Sequence, residues 1–258
     1  MADLFDMQLR ARRRDRAARL GPELFLFERV FEDCLERISL TARSFEKALM
    51  IGCPDAGWRE RLERHARHVE VRDPGPSFAA AADGSTIVED DWNPEPRSFD
   101  LVLAIGTLDS VNALPLALRL IRHAMRPDGL LIGAMSGGDT LPQLRNAMRA
   151  ADAVAGGAAP HVHPRIEASA LAPLLSDGGF AMPVVDIERV PVSYASFLKL
   201  VRDLRGMAAT NVLSARPAAL GRRALDAAAQ EFAKASVNRR TTETFEILHF
   251  AAWSAPNA

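Results

Sequence analysis

The sequence predicts an α/β protein: a parallel sheet with helices on both faces, preceded by N-terminal helices. Two observations carry this. From residue 47 onward, short apolar runs alternate with helical patterns of ten or more residues, the signature of βαβ units. The runs "KALMIG" (47–52) and "LLIGAM" (130–135) are apolar throughout, as strands buried on both faces are.

Apolar residues at helical spacing run from Leu4 to about Leu20, and again from Leu24 through Phe27, Val30, Phe31, Cys34 and Leu35 to about Ile38. Two helices therefore precede the first strand, 47–52. "WRERLERHAR" reads as a charged helix with Leu62 inward, and 68–73 as the second strand. Strands follow at 85–90 and 98–106, then a helix over 114–126. "RPDG" (126–129) has the residues a turn demands, and 130–135 is the next strand. The stretch from Ser136 to Gly157 is a helix bounded by glycines, capped by Asp139 or Thr140 and tolerating Pro142 in its first turn. A loop at 160–169, a helix stopped by Gly178 and Gly179, an extended run at 184–194, helices at 196–207 and 222–235, and a closing strand at 244–253 complete the chain. The domain reading is a helical segment over 1–42 and a sheet domain over 43–258, with lid segments around 137–180 and 195–235.

The 258 residues are 48% hydrophobic, enough for a sizeable core. With 32 Lys and Arg against 33 Asp and Glu, the net charge of −1 argues against nucleic acid or an acidic membrane as a general partner. Cys34 and Cys53 are too few for a disulfide framework or a four-cysteine zinc site and suit a reducing compartment, so the expected location is cytoplasmic. No run approaches the ~18 apolar residues of a membrane span, and "MADLFDMQLRARRR" lacks the apolar core of a secretory signal. Arg10, Arg12, Arg13, Arg14, Arg16 and Arg19 fall within ten residues. They read either as a solvated helix with some arginines folded onto acidic neighbours, or as a docking surface for an acidic partner or phosphate.

Ligands of such sheets bind beyond the carboxyl ends of the strands. The turn after the first strand is Gly52-Cys53-Pro54-Asp55-Ala56-Gly57, a loop of the kind that brings backbone N–H groups to a nucleoside cofactor. Asp73 lies 21 residues after Gly52, where a ribose-binding carboxylate belongs. Glu89 or Asp90 could receive an adenine amino group. Against this, Asp73 before Pro74 could simply open a turn, "EDD" could be a solvated loop, and Pro54 removes an N–H from the cradle.

The series "SFDLVLAIG", "VNALPLALRLIR", "RPDGLLIGAMSGGDTLPQLR", "GGFAMPVVDIERVPVSY" and "LVRDLRGMAATN" resembles the class I S-adenosylmethionine-dependent methyltransferases. More narrowly, through "GGDTL" and "RDLRGM", it is similar to the methyltransferase-like mitochondrial complex I assembly factor 5 family, with the biotin-pathway malonyl-carrier methyltransferase as a broader relative. The resemblance implies a seven-stranded Rossmann-like sheet, order 3-2-1-4-5-7-6, with its last strand antiparallel, and S-adenosylmethionine across the strand tips. It implies Gly52 and Cys53 at the methionine and ribose end, Asp73 at the ribose, Glu89 and Asp90 at the adenine, and Ile105 and Gly106 beside the sulfonium. The chain departs from the family loop D-x-G-x-G-x-G at Met50, Pro54 and Ala56. Losing the acidic side chain removes a contact of roughly 1.5–3 kcal/mol, about one or two decades of affinity, so the resemblance implies a degenerate loop with weakened or lost cofactor binding.

Methyl transfer can proceed by orientation alone, with a base only where the acceptor must lose a proton. Asp109 stands where relatives carry the first residue of a His-Trp pair, and it faces the pocket by strand logic; with Tyr194 it is the catalytic candidate. His161 and His163 lie in the lid and lack a third ligand at a diagnostic spacing, so no metal site is expected. Three functions follow: a methyltransferase acting on a small molecule or a protein, a modification or assembly factor for a respiratory complex I subunit related to arginine hydroxylation, or a silent protein with a closed pocket.

Overall fold

The computed structural model describes residues 3–217 and 219–255. Two helices come first, α1 (Met7–Leu20) and α2 (Phe25–Leu40). Asp6 caps α1 by accepting from the Leu9 N–H at 2.8 Å. Then β1 (Phe45–Ile51), α3 (Gly57–Leu62), β2 (Ala66–Asp73), α4 (Pro76–Ala81) and β3 (Ser85–Thr86) form the first half of the sheet. The second half is β4 (Phe99–Ile105), α5 (Leu114–Ala124), β5 (Met125–Ser136), α6 (Pro142–Ala155), α7 (Ala168–Asp177), β6 (Phe180–Tyr194), α8 (Phe197–Gly206), α9 (Arg222–Lys234), β7 (Ser236–Val237) and β8 (Arg240–Ser254).

The strand order is β3-β2-β1-β4-β5-β8-β6, with β7 paired to β8 as an extra hairpin arm. β1 through β5 are mutually parallel, and β8 runs antiparallel between β5 and β6. This is the Rossmann-like order that the resemblance implied. Alternate residues of each central strand serve opposite layers. Ala48, Met50, Leu101 and Leu103 face α2, α6, α8 and α9 in one core, while Leu49, Ile51, Val102 and Leu131 face α5 and α7 in the other.

Several boundaries differ from expectation for local reasons. The helix expected over 58–67 stops at Leu62, because Ala66 already pairs with Phe45 in the sheet. The strand expected over 85–90 keeps only Ser85 and Thr86, since the chain then turns Glu89 into the interior. The "RPDG" turn lies inside β5 as an irregularity, with Phe99 paired to Met125 but Leu101 to Leu130. Neither Asp139 nor Thr140 caps α6. Its N-cap is Leu141, and the orphan N–H groups of Gln143 and Leu144 donate instead to the Glu243 carboxylate of β8, at 3.2 and 2.8 Å.

Candidate functional site

The carboxyl ends of β1, β2, β3 and β4 converge on one edge, and α1 lies across it. Asp73 ends β2 with no solvent exposure, and Glu89 is equally buried. Both face arginines of α1 rather than a cavity. Arg14 donates from Nε to Asp73 Oδ1 at 2.7 Å and from Nη2 to Oδ2 at 2.5 Å. The Asp73 oxygens also accept from the N–H of Cys53 at 2.8 Å and of Gly75 at 2.7 Å. A carboxylate offers about four lone-pair positions, so these four donors leave none for ribose hydroxyls.

Arg10 makes the matching fork on Glu89, at 2.7 and 2.8 Å, and donates to the Thr107 carbonyl at 2.6 Å. Burial opposes the charge on Arg10, but Glu89, Asp109 and Asp73 outweigh it and raise its pKa. The spacing of Arg10 and Arg14 places both on one helix face. Arg12 and Arg16 share the same spacing with Arg12 exposed, so the relation groups the arginines by face without marking which face turns inward.

Glycines at the strand tips are in close contact with the chain itself. Gly52 has φ +87°, and a Cβ there would lie 2.3 Å from the Ile105 carbonyl oxygen and 2.7 Å from Thr107 Cγ2. At Gly75 a Cβ would meet Arg14 Cβ at 2.6 Å, and at Gly106 it would meet the Phe27 ring at 2.5 Å. Cys53 and Pro54 are buried, and burial pushes the Cys53 thiol up to about 12, so it is an inert neighbour of Asp73. Trp58 stacks on Phe31 at 4.3 Å and donates to Glu28 at 2.8 Å, which ties α3 to α2.

The remaining candidates separate into distinct roles. Asp90 accepts from the Ala113 N–H at 2.7 Å, at the start of α5, and does not join Glu89. Asp109 sits in a short 3-10 turn at Leu108–Ser110, paired with Arg165. Burial works against its charge, yet Arg165 and Arg10 lower its pKa overall and keep it ionised. His163 accepts from the Val212 N–H at 2.8 Å. Burial and Arg165 push its pKa down to about 3, so it is neutral. His161 pairs with Asp152 at 2.7 Å. Tyr194 closes β6, buried, with its pKa raised by burial and by Asp203; it lines none of the cavities at the strand tips and is not brought to Asp109. Among the described residues, no group of three or more His, Cys, Asp or Glu is arranged to hold a metal ion.

Two small cavities lie above β4 and β5. One, of about 70 Å³, is lined by Phe27, Ile105, Gly106, Ser136, Arg165 and Met207 among others. The second, of about 60 Å³, lies toward Arg10, Arg14 and Asp109. Small-molecule sites occupy about 300–1,000 Å³. With Asp73 saturated and Gly75 and Gly106 covered, the residues in this arrangement do not fit S-adenosylmethionine. Arg10 and Arg14 bear out the reading of the arginine run as a helix with some arginines folded onto acidic neighbours, whereas Phe27, Thr107 and Arg165, which also shape the site, were not among the sequence candidates.

The family described as "Methyltransferase domain" matches residues 23–185. The arginine-hydroxylase NDUFAF5, mitochondrial, of Danio rerio is 33% identical over 265 residues, covering 97% of this chain and 83% of that protein. The malonyl-[acyl-carrier protein] O-methyltransferase of Xylella fastidiosa is 33% identical over 160 residues, 61% of this chain and 52% of that protein. Among solved structures, the phosphoethanolamine N-methyltransferase 2 of Haemonchus contortus, in complex with S-adenosylhomocysteine, superposes with a TM-score of 0.53 at 14% identity, over 88% of this chain and 52% of that one. The fold, the matched domain and the near-complete alignment agree: the chain belongs to the methyltransferase domain family and, within it, to the family of the mitochondrial arginine-hydroxylases NDUFAF5.

Proposed function

We propose that this methyltransferase-like protein is a modification or assembly factor for a subunit of respiratory complex I, with its nucleoside site held shut by its own first helix. The observation that carries the closed site is the pair of buried forks, Arg14 on Asp73 and Arg10 on Glu89. The support for the complex I role is identity of 31–33% over 97% of the chain to proteins named arginine-hydroxylase. The acceptor on this reading is a protein. Its side chain would approach the β4–β5 edge, where Asp109 and Arg165 form the charged wall nearest the cavities. Two free, buried cysteines suit a reducing compartment, and the cytoplasm is the location this reading adopts. Deletion of the gene in its own host, followed by native-gel assay of complex I, tests the role. Loss of the fully assembled complex, restored by the wild-type gene, is expected; unchanged assembly overturns it.

A second reading has a specific observation in its favour. Asp73 and Glu89 lie near the strand tips, where a nucleoside would need them, with α1 and Phe27 lying over this edge. On this reading α1 is a gate, and S-adenosylmethionine binds after it swings away, with Asp73 released to the ribose and Glu89 to the adenine. Cofactor affinity that appears only in variants lacking Arg10 and Arg14 separates this reading from permanent closure.

A further inference from the structure

The helix that closes the nucleoside site presents a second set of arginines to a different part of the molecule. Arg13 lines an open cavity of about 450 Å³ walled by α6, α8, α9 and the segment 161–165. The volume falls in the range of small-molecule sites, about 300–1,000 Å³. Leu144 and Met148 of α6, Phe197 and Val201 of α8, and Leu220 and Leu225 beside them make an apolar wall. The charged lining is of one sign only: Arg13, Arg165, Arg205 and Arg216, with His161 and His163, and no Asp or Glu among the described residues.

Two of these arginines are neutralised, Arg165 by Asp109 and Arg216 by Asp6 at 3.2 Å. Among the described residues, Arg13 and Arg205 have no carboxylate partner. Arg16, one turn along α1, donates to Thr210 at 3.2 Å but leaves its buried Nε without a partner. Burial, then repulsion from Arg16, Arg216 and Arg205, lowers the pKa of Arg13 to about 10. Arg13 is half-buried while Arg205 and Arg216 are exposed at the cavity mouth, and like charges gathered there repel one another, so what the cluster lacks is an anion. The apolar wall, with Leu144, Met148 and Phe197 mostly buried and Val201 and Leu220 half-buried, suits a hydrocarbon chain.

We infer that this cavity binds a single-chain amphiphile with an anionic head, a long-chain carboxylate, whose chain lies along Leu144, Met148, Phe197 and Val201 and whose head meets Arg13 and Arg205. A neutral alcohol of the same length would fill the wall but leave the cations unpaired. A short, fully polar anion would pair them but leave the wall uncovered. The two sites use different arginines of α1: Arg13 lines this cavity and Arg16 donates to Thr210, while Arg10 and Arg14 pair with Glu89 and Asp73. Arg165 borders both this cavity and the small ones above β4 and β5, so a bound chain would lie next to the acceptor edge.

The test is a fluorescence titration of the full-length protein with dansyl-labelled undecanoic acid, followed by competition. Saturable binding is expected, displaced by dodecanoate and not by dodecanol. The Arg13→Gln and Arg205→Gln variants should each weaken binding by about tenfold or more, as loss of a charged hydrogen bond does. Val201→Trp, which fills the channel, should abolish it with the thermal midpoint retained; Met148→Trp repeats that test from the opposite wall. The exposed Arg19→Gln should bind as wild type. Equal competition by dodecanol, unchanged affinity in the two arginine variants, or no saturable signal up to about 1 mM would overturn the inference.

Discussion

Replacing Arg14 by alanine probes the proposed closure at one of its two buried forks. Asp73 has no solvent exposure and accepts four N–H groups, two of them from Arg14. The variant keeps the Cys53 and Gly75 donors but leaves a buried carboxylate with no cation. Breaking a buried pair by removing one partner costs about 3–5 kcal/mol, and the two retained backbone donors place this one near the lower bound. For a chain of this size about 3 kcal/mol corresponds to a fall of roughly 6–12 °C in Tm. Contact of the guanidinium with the Phe78 ring, 5.2 Å from its centroid, is lost as well. Thermal unfolding followed by circular dichroism is the assay, with exposed Arg12→Ala expected within about 0.5 kcal/mol of wild type. Because the pair is buried, the loss should change little with salt. The double variant Arg14→Leu/Asp73→Asn should recover about 1–3 kcal/mol relative to the sum of its parts. Amide exchange in residues 7–20 should quicken in Arg14→Ala. A Tm within 2 °C of wild type, by the same conversion less than about 1 kcal/mol, would refute the view that this fork holds α1 on the sheet.

Other outcomes follow from the same geometry. Folded His163 has its pKa lowered to about 3, while an unfolded histidine titrates near 6.5, so the unfolded state binds more protons between those values. Its contribution is therefore complete above about pH 6.5 and is lost at up to about 1.4 kcal/mol per pH unit as pH falls through the window; urea titrations at two pH values should show that slope in wild type and not in His163→Gln. Gly52→Ala combines φ +87° with a 2.3 Å approach to the Ile105 carbonyl oxygen, and should cost at least about 2 kcal/mol in a denaturant titration. Glu243→Ala removes the acceptor for the Gln143 and Leu144 N–H groups; it should cost about 1–2 kcal/mol, the size of a lost helix cap, and speed amide exchange in the first turn of α6.

Much of the fold was legible because its signals are local. The apolar runs that became β1, β4 and β5 need only their own composition to declare burial, and Pro142, Gly178 and Gly179 marked helix ends from their own backbone preferences. The place of Asp73 was legible too, since strand spacing sets it at the end of β2, whereas Glu89 is buried three residues past the shortened β3. What occupies the two carboxylates was not legible. Arg14 and Asp73 are 59 residues apart, and Arg10 and Glu89 are 79 apart. No local pattern sets which face of an arginine-rich helix turns inward. The cap of α6 was missed for the same reason, because Glu243 comes from a strand 99 residues away from Leu144. Met50, Pro54 and Ala56 drew attention to the first loop, but the space near Gly52 and Gly106 is filled by Thr107 and Phe27, which no loop motif includes. Asp109 was placed near the pocket by strand logic; its ion pair with Arg165 depended on how the 160–169 loop folds back.

Calorimetric titration of S-adenosylmethionine into the wild-type protein tests the closed site most directly, with the Arg10→Ala/Arg14→Ala variant titrated alongside. The account predicts no heat of binding for wild type up to about 1 mM, because every Asp73 lone pair is already used. Wild-type binding with a Kd of about 10 μM or tighter, with α1 still protected from amide exchange in the complex, would contradict it.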